Sequence, residues 1–299
     1  MTYWLVANPN AGSGQRGREF WLVKLAKADI TDPECCDLQD QSWTANVKPG
    51  DTIMVAGGDG SVNAAARICL EHKATLAVLP SGTANDFARN LALPEDPAAV
   101  CELVRQGTTQ KVDVAEFGDG IFLNVAHIGL GALAAQESQG VAKKLLGRFS
   151  YGVELLKQVS AKRGFRAEIS CDKAIVRGRW LSIAVSSGAY FGGGNEIPQA
   201  TADDGVLDII AVKPRPVMQL LLTFLLVRFS GKSPKRTSTV VHMKGRCCDI
   251  ITSKEKTVTV DGDEAGKTPF NAVCRKHCLR VIGTTVVRTG EADSDRSGA

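Results

Sequence analysis

No apolar run in the 299-residue chain is long enough to cross a bilayer; the longest, residues 217–227, is about half of what a spanning helix needs. No charged leader with an apolar stretch precedes the first strand pattern, so no secretory signal is read there. The nine cysteines are an odd count, and without that signal they are expected to be reduced, in a cytoplasmic setting. No CxxC spacing occurs, which leaves Cys274, His277 and Cys278 as a weak zinc candidate. No Gly-Lys-Ser/Thr follows a glycine loop, which excludes a Walker A site, and no internal repeat is present.

What is present is globular: 44% hydrophobic and 23% charged residues, over a length that suits two domains. The net charge of +4 is unevenly placed. Residues 1–115 carry 10 Lys+Arg against 14 Asp+Glu, and the remainder carries a net +8. A basic second half suggests an anionic partner or surface, with uneven solvation as the competing reading.

The chain is organised around Thr52 to Asn63, TIMVAGGDGSVN. A strand runs into Gly57-Gly58-Asp59-Gly60, and a helix is expected over residues 61–70. Glycines let the backbone approach a ligand closely, and a helix start points unpaired N–H groups at it. This reads as a phosphate cradle. A carboxylate such as Asp59 repels phosphates unless a divalent cation lies between, so the ligand is expected to arrive with Mg²⁺. A second strand–loop–helix, Pro80 to Asn90, sets Gly82, Thr83 and Asn85 at its mouth, with Asp86 as a helix cap or water-mediated ion ligand. Gly12, Gly14 and Gly17 spell GxGxxG, but a proline and three other residues separate them from the strand. Asn8-Pro9 through Gly12 is better read as a second phosphate wall.

Beyond residue 111 short strands take over, interrupted by helices near 132–160 and 217–230. This pattern predicts a β-sandwich over 116–289, after an α/β domain over 1–115 and before a disordered tail at 290–299. Two acidic turns stand out. Asp203-Asp204 with Asp208 offers a hard-cation site, and Asp261, Asp263 and Glu264 bunch where one carboxylate could serve as general base. A solvated turn is the competing reading for each. Residues 191–195, with three glycines, read as a flexible rim. The apolar 217–229 stretch reads as a core helix, or as a lip meeting anionic headgroups through Arg228, Lys232, Lys235 and Arg236.

These motifs together resemble the diacylglycerol kinase catalytic-domain family, in particular its soluble bacterial lipid kinases. The resemblance rests on Asn8-Pro9 with Gly12, Gly57 to Ser61, Pro80 to Arg89, Gly192 to Gly194, Pro198 to Asp208 and Asp261 to Asp263, in that order along the chain. It implies an N-terminal α/β nucleotide-binding domain of the NAD kinase/diacylglycerol kinase type, plus a C-terminal β-sandwich. It implies phosphoryl transfer from Mg·ATP to a lipid hydroxyl at a membrane surface. ATP would be held by Asn8, Pro9, Gly12, Thr44, Gly57, Gly58, Asp59, Gly60, Ser61, Val62, Asn63, Gly82, Thr83 and Asn85. Asp59 would act through Mg²⁺, and Thr201, Asp204 and Val206 would hold a second, structural Mg²⁺. Asp263 takes the proton-acceptor position, where the family carries glutamate; Asp261 or Glu264 could compensate for its shorter reach. No nucleic acid is expected, and a homodimer is compatible with the chain. Two alternatives stand: an NAD kinase-like enzyme sharing the GGDG loop, and a nucleotide- or lipid-sensing module without turnover.

Overall fold

The computed structural model describes residues 1–8, 15–129, 164–197, 200–215 and 239–283. Pro9, Gly12, the expected helices over 132–160 and 217–230, the basic residues after the second, Pro198 and the tail lie outside them.

The first half follows its hydrophobic periodicity. Strands β1 (Tyr3–Ala7), β2 (Glu34–Cys36), β3 (Thr52–Gly57) and β4 (Thr75–Pro80) pair in parallel in the order β2-β1-β3-β4. β3 is buried along its whole length, as a central parallel strand covered on both faces must be. Leu5, Ala7, Met54, Ala56 and Leu79 pack on one face against Trp21 and Leu25 of α1 (Arg18–Lys27) and Val100 and Val104 of α4 (Pro97–Gln106). Trp4, Val6, Ile53, Val55 and Val78 pack on the other against Val62 and Ala66 of α2 (Asp59–His72) and Phe87 of α3 (Asp86–Asn90). The helix expected from residue 61 thus begins at Asp59, because extended Gly58 is its N-cap.

The second half is the expected sandwich. Strands β5 (Thr109–Phe117), β6 (Gly120–Phe122), β8 (Phe165–Cys171), β9 (Ala174–Trp180), β15 (Cys247–Thr252) and β18 (Phe270–Ile282) extend the first sheet. Strands β7 (Val125–Gly129), β10 (Ser182–Ser186), β13 (Leu207–Val212), β14 (Val240–Gly245), β16 (Thr257–Val260) and β17 (Asp263–Lys267) form a second, antiparallel sheet. β11 (Tyr190–Phe191) and β12 (Asn195–Glu196) make a separate hairpin. Between the layers lie Phe122, Ile128, Ile169, Trp180, Ile183, Val185, Ile209, Ile250 and Phe270.

β18 joins the two halves. It pairs with β15 and β5, and then runs parallel to β4 through Val281 and Leu76, so Leu279 and Val281 belong to the first core. A sequence boundary at 115/116 therefore falls inside the β5–β6 hairpin, and the chain returns to the first layer at its end.

Candidate active site

The site forms at the carboxyl ends of β1, β3 and β4, where ligands of open α/β sheets gather. Ser81 N donates to Gly57 O at 3.1 Å and Asn8 N to Ala56 O at 3.0 Å, so three loops leave side by side. A Cβ on Gly82 would sit 2.4 Å from Gly58 Cα, closer than any side chain tolerates. The two glycine loops therefore touch backbone to backbone, and only glycine permits it. Asn8 Nδ2 donates to Ser61 Oγ at 3.0 Å, and Trp21 Nε1 to Ser81 Oγ at 2.8 Å. Asn85, in the left-handed region at φ 51°, exchanges two hydrogen bonds with the backbone of Gly82, both 2.9 Å. Its amide braces the loop, and Thr83 is exposed at the mouth.

The first intrahelical bond of α2 is Val62 N to Gly58 O at 3.0 Å. The N–H groups of Asp59, Gly60 and Ser61 thus precede the ladder and form the positive end of a 14-residue helix. Three expected nucleotide contacts are otherwise engaged. Val62 is buried in the first core. Asn63 Nδ2 donates to Ile121 O at 3.0 Å and to Asp261 Oδ2 at 2.9 Å, tying α2 to the β-domain. Thr44 Oγ1 donates to Gln41 O at 2.8 Å, within its own 3₁₀ turn over Ser42–Asn46.

Asp59 and Asp86 sit together. Asp59 Oδ1 accepts from Phe87 N at 2.9 Å and Asn124 Nδ2 at 3.3 Å. Burial, reinforced by the charge of Asp86, pushes the Asp59 carboxyl above its ordinary range. Asp86, 4% exposed, accepts from Gly193 N at 2.9 Å and Gly194 N at 2.7 Å. The expected flexible rim is therefore pinned: Gly192, Gly193 and Gly194 are all at positive φ, and the N–H groups of Gly193 and Gly194 form a nest for this carboxylate. Asn90 adds a second tie, accepting from Ala189 N at 2.8 Å and donating to Asn124 Oδ1 at 2.9 Å.

The acidic corner separates into distinct roles. Asp261 accepts from the N–H groups of Leu123, Asn124 and Val125, all at 3.0 Å, and from Asn63. Burial raises its pKa, while these four donors oppose the shift. Asp263 is exposed and faces the start of α2, its Oδ2 3.7 Å from where a Cβ on Gly60 would lie. It opens onto a cleft of about 450 Å³ lined by Gly60, Asn63, Arg67, Phe117, Ile121 and Asp263.

At the other acidic turn, Asp204 Oδ1 accepts from Val206 N at 3.2 Å and Asp204 Oδ2 lies 3.4 Å from Lys244 Nζ. Thr201 Oγ1 is buried without a hydrogen-bond partner among the described residues. One carboxylate, an unused hydroxyl and the carbonyls of a turn suit a hard cation, with Lys244 as a competitor for the carboxylate. Buried Asp113, absent from the sequence reading, anchors this turn by accepting from Gly205 N at 2.5 Å and His277 N at 2.7 Å. The zinc candidate is corrected here. Cys274 lies in the sandwich core and Cys278 packs against the first core. Burial pushes Cys274 up to about 12, so it stays a thiol, and no cluster of three ligating side chains exists among the described residues. All nine cysteines are free.

Asn90 and Asn124, like Asp113, are residues that sequence reasoning missed. The one signal at Asn124 is an amide inside an otherwise apolar stretch, residues 121–126.

Residues 2–117 match the family profile described as "Diacylglycerol kinase catalytic domain", and residues 124–283 match "YegS C-terminal NAD kinase beta sandwich-like domain". The chain is 30% identical over 234 residues to a "Probable lipid kinase YegS-like" from Klebsiella pneumoniae, covering 77% of this chain and 76% of that one. It is 26% identical over 279 residues to a "Diacylglycerol kinase" of Staphylococcus aureus, covering 89% and 87%. A crystal structure of a diacylglycerol kinase from Bacillus anthracis superimposes with a TM-score of 0.70 at 25% identity, over 95% of this chain and 97% of that one.

Proposed function

Because the chain belongs to the diacylglycerol kinase catalytic-domain family, we propose that it transfers the γ-phosphoryl group of Mg·ATP to a lipid hydroxyl. One observation carries this reading: Gly60, at the helix start that follows two touching glycine loops, lies beside Asp263, and both open onto one cleft. In this reading the N–H groups of Asp59, Gly60 and Ser61 take the nucleotide phosphates, with Asn8, Gly57, Gly58 and Gly82 shaping the cradle. Asp59, beside Asp86, would be the carboxylate to hold a Mg²⁺ bound with the nucleotide, which would supply neutralisation of the phosphate charge. Thr201, Asp204 and Val206 are the residues for a second cation.

Asp263 accepts the proton of the lipid hydroxyl as its oxygen bonds to the γ-phosphorus and the bond to the β-phosphate oxygen breaks, releasing ADP. Catalysis is then chiefly alignment and charge stabilisation, as phosphoryl transfer requires. Asp261 holds the corner and does not itself act as base. In this reading the acceptor is met at a membrane surface, which the basic second half favours.

The test is γ-labelled Mg·ATP with a panel of neutral and anionic lipids plus NAD. Label in a lipid is expected. Label in NAD alone moves the protein to NAD kinase chemistry, and bound ATP with no labelled product supports a sensing module.

A further inference from the structure

The turn that carries Asp204 is held in shape by the protein's own groups. Asp113, on β5, accepts from Gly205 N at 2.5 Å, and its own N–H donates to Ala202 O at 2.8 Å. His277, in the irregular stretch of β18, donates from Nε2 to Asp203 O at 2.9 Å. Asp204 Oδ1 closes the turn by accepting from Val206 N at 3.2 Å. A structural ion does two things: it fixes the loop that ligates it, and it neutralises the carboxylate it meets. Here hydrogen bonds from two strands and the turn itself already do the first.

Lys244 does the second. From β14 its Nζ lies 3.4 Å from Asp204 Oδ2 and 3.3 Å from Asp208 Oδ1, so one ammonium bridges two carboxylates. Asp204 Oδ1 is committed to Val206 N, which leaves Oδ2 to meet a cation, and Lys244 is the cation there. An ammonium and a divalent ion repel each other and compete for the same oxygen.

The ammonium is also able to leave. The Lys244 side chain is 36% exposed, on a long stem that reaches water by rotation alone. Asp208, buried, would keep His242 Nε2 at 2.5 Å. Thr201 Oγ1, buried without a hydrogen-bond partner among the described residues, would gain one from an entering ion or its water.

We propose that Lys244 is a tethered counter-cation for Asp204, and that a second divalent ion binds at this turn only by displacing it, as an exchangeable occupant whose affinity Lys244 sets. The proposal rests on the assignment of Thr201, Asp204 and Val206 to the second cation. It is independent of the transfer chemistry and is tested without nucleotide or lipid.

The probe is Mn²⁺, its bound fraction read by electron paramagnetic resonance on wild type, Lys244→Met and Lys244→Arg. Asp204→Asn identifies the binding that belongs to this turn and not to Asp59. Melting in EDTA and in Mg²⁺ is measured in parallel. Lys244→Met, which keeps the stem and removes the charge, is expected to bind Mn²⁺ about ten- to hundredfold more tightly than wild type at the Asp204-dependent site. Lys244→Arg is expected to stay near wild type. Wild type should melt alike in EDTA and in Mg²⁺, whereas Lys244→Met should melt several degrees lower in EDTA and recover in Mg²⁺. Equal Mn²⁺ affinity in wild type and Lys244→Met would overturn the proposal. So would a wild-type melting temperature that drops in EDTA, because the ion would then be structural. Failure of Lys244→Met to fold even in Mg²⁺ would also overturn it, since an entering ion should replace the lost charge. No Asp204-dependent Mn²⁺ in any of the proteins would remove the proposal together with the second-cation assignment, and would leave the phosphoryl-transfer reading standing.

Discussion

Asp261→Ala and Asp263→Ala should fail in opposite ways. Asp261 receives four hydrogen bonds, three from consecutive backbone N–H groups, and is half-buried where they converge. Truncating it strands those donors. Hydrogen bonds to a charged group are worth about 1.5–3 kcal/mol each but do not add, and losing one partner of a buried charged network costs about 3–5 kcal/mol. At roughly 2–4 °C per kcal/mol for a protein of this size, Tm should fall by about 6–20 °C. Asp263 is exposed, so Asp263→Ala should shift stability by less than about 0.5 kcal/mol while lowering kcat by about 10²–10⁴. Thermal melting and phosphate transfer measured on both proteins check this. An Asp261→Ala protein melting with wild type, or an Asp263→Ala protein that keeps full kcat, would refute the assignment of scaffold and base.

Gly82→Ala should be disruptive out of proportion to one methyl group, since the new Cβ meets Gly58 backbone at 2.4 Å. A loss of about 1–3 kcal/mol in unfolding and weaker nucleotide binding are expected, whereas an unchanged protein would mean the loops do not touch. Asp86→Ala removes the acceptor for Gly193 and Gly194, whose amides should then exchange with deuterium much faster. Unchanged protection would show that the nest is held by something else. His127 lies near 4 when folded against 6.5 unperturbed, so the unfolded chain binds its proton first. Stability is then complete above pH 6.5 and falls as pH drops towards 4, by up to about 3 kcal/mol from this group. Denaturant unfolding at pH 7 and pH 4.5 should show a smaller loss for His127→Leu than for wild type, and equal losses would contradict the neutral, buried ring.

The glycine loops and their strands were legible because glycine at a strand end and period-2 burial are local signals. The β-sandwich was legible in the same way, but β9 and β17 were not. Ala174–Trp180 carries Arg177, Gly178 and Arg179 in mid-strand, and Asp263–Lys267 is mostly exposed and polar. β18 was read only over its last four residues, because a register shift between Arg275 and Leu279, with His277 at φ 50°, breaks its alternation. The ties across the site depend on pairings remote in sequence. Asp86 meets Gly194 across 108 residues, and Asn63 meets Asp261 across 198. No local pattern announces such contacts, so the glycine rim read as flexible and the bond from Asn63 to Asp261 went unread.

The account rests on phosphate passing to a lipid at the corner between α2 and Asp263. The most direct measurement is a transfer assay with γ-labelled Mg·ATP and 1,2-dioctanoylglycerol, run on wild type and Asp263→Ala with nucleotide binding measured in parallel. Labelled phosphatidic acid from wild type, and at least a hundredfold less from the variant with ATP still bound, is the predicted result. No label in lipid from wild type, or undiminished label from the variant, would contradict it.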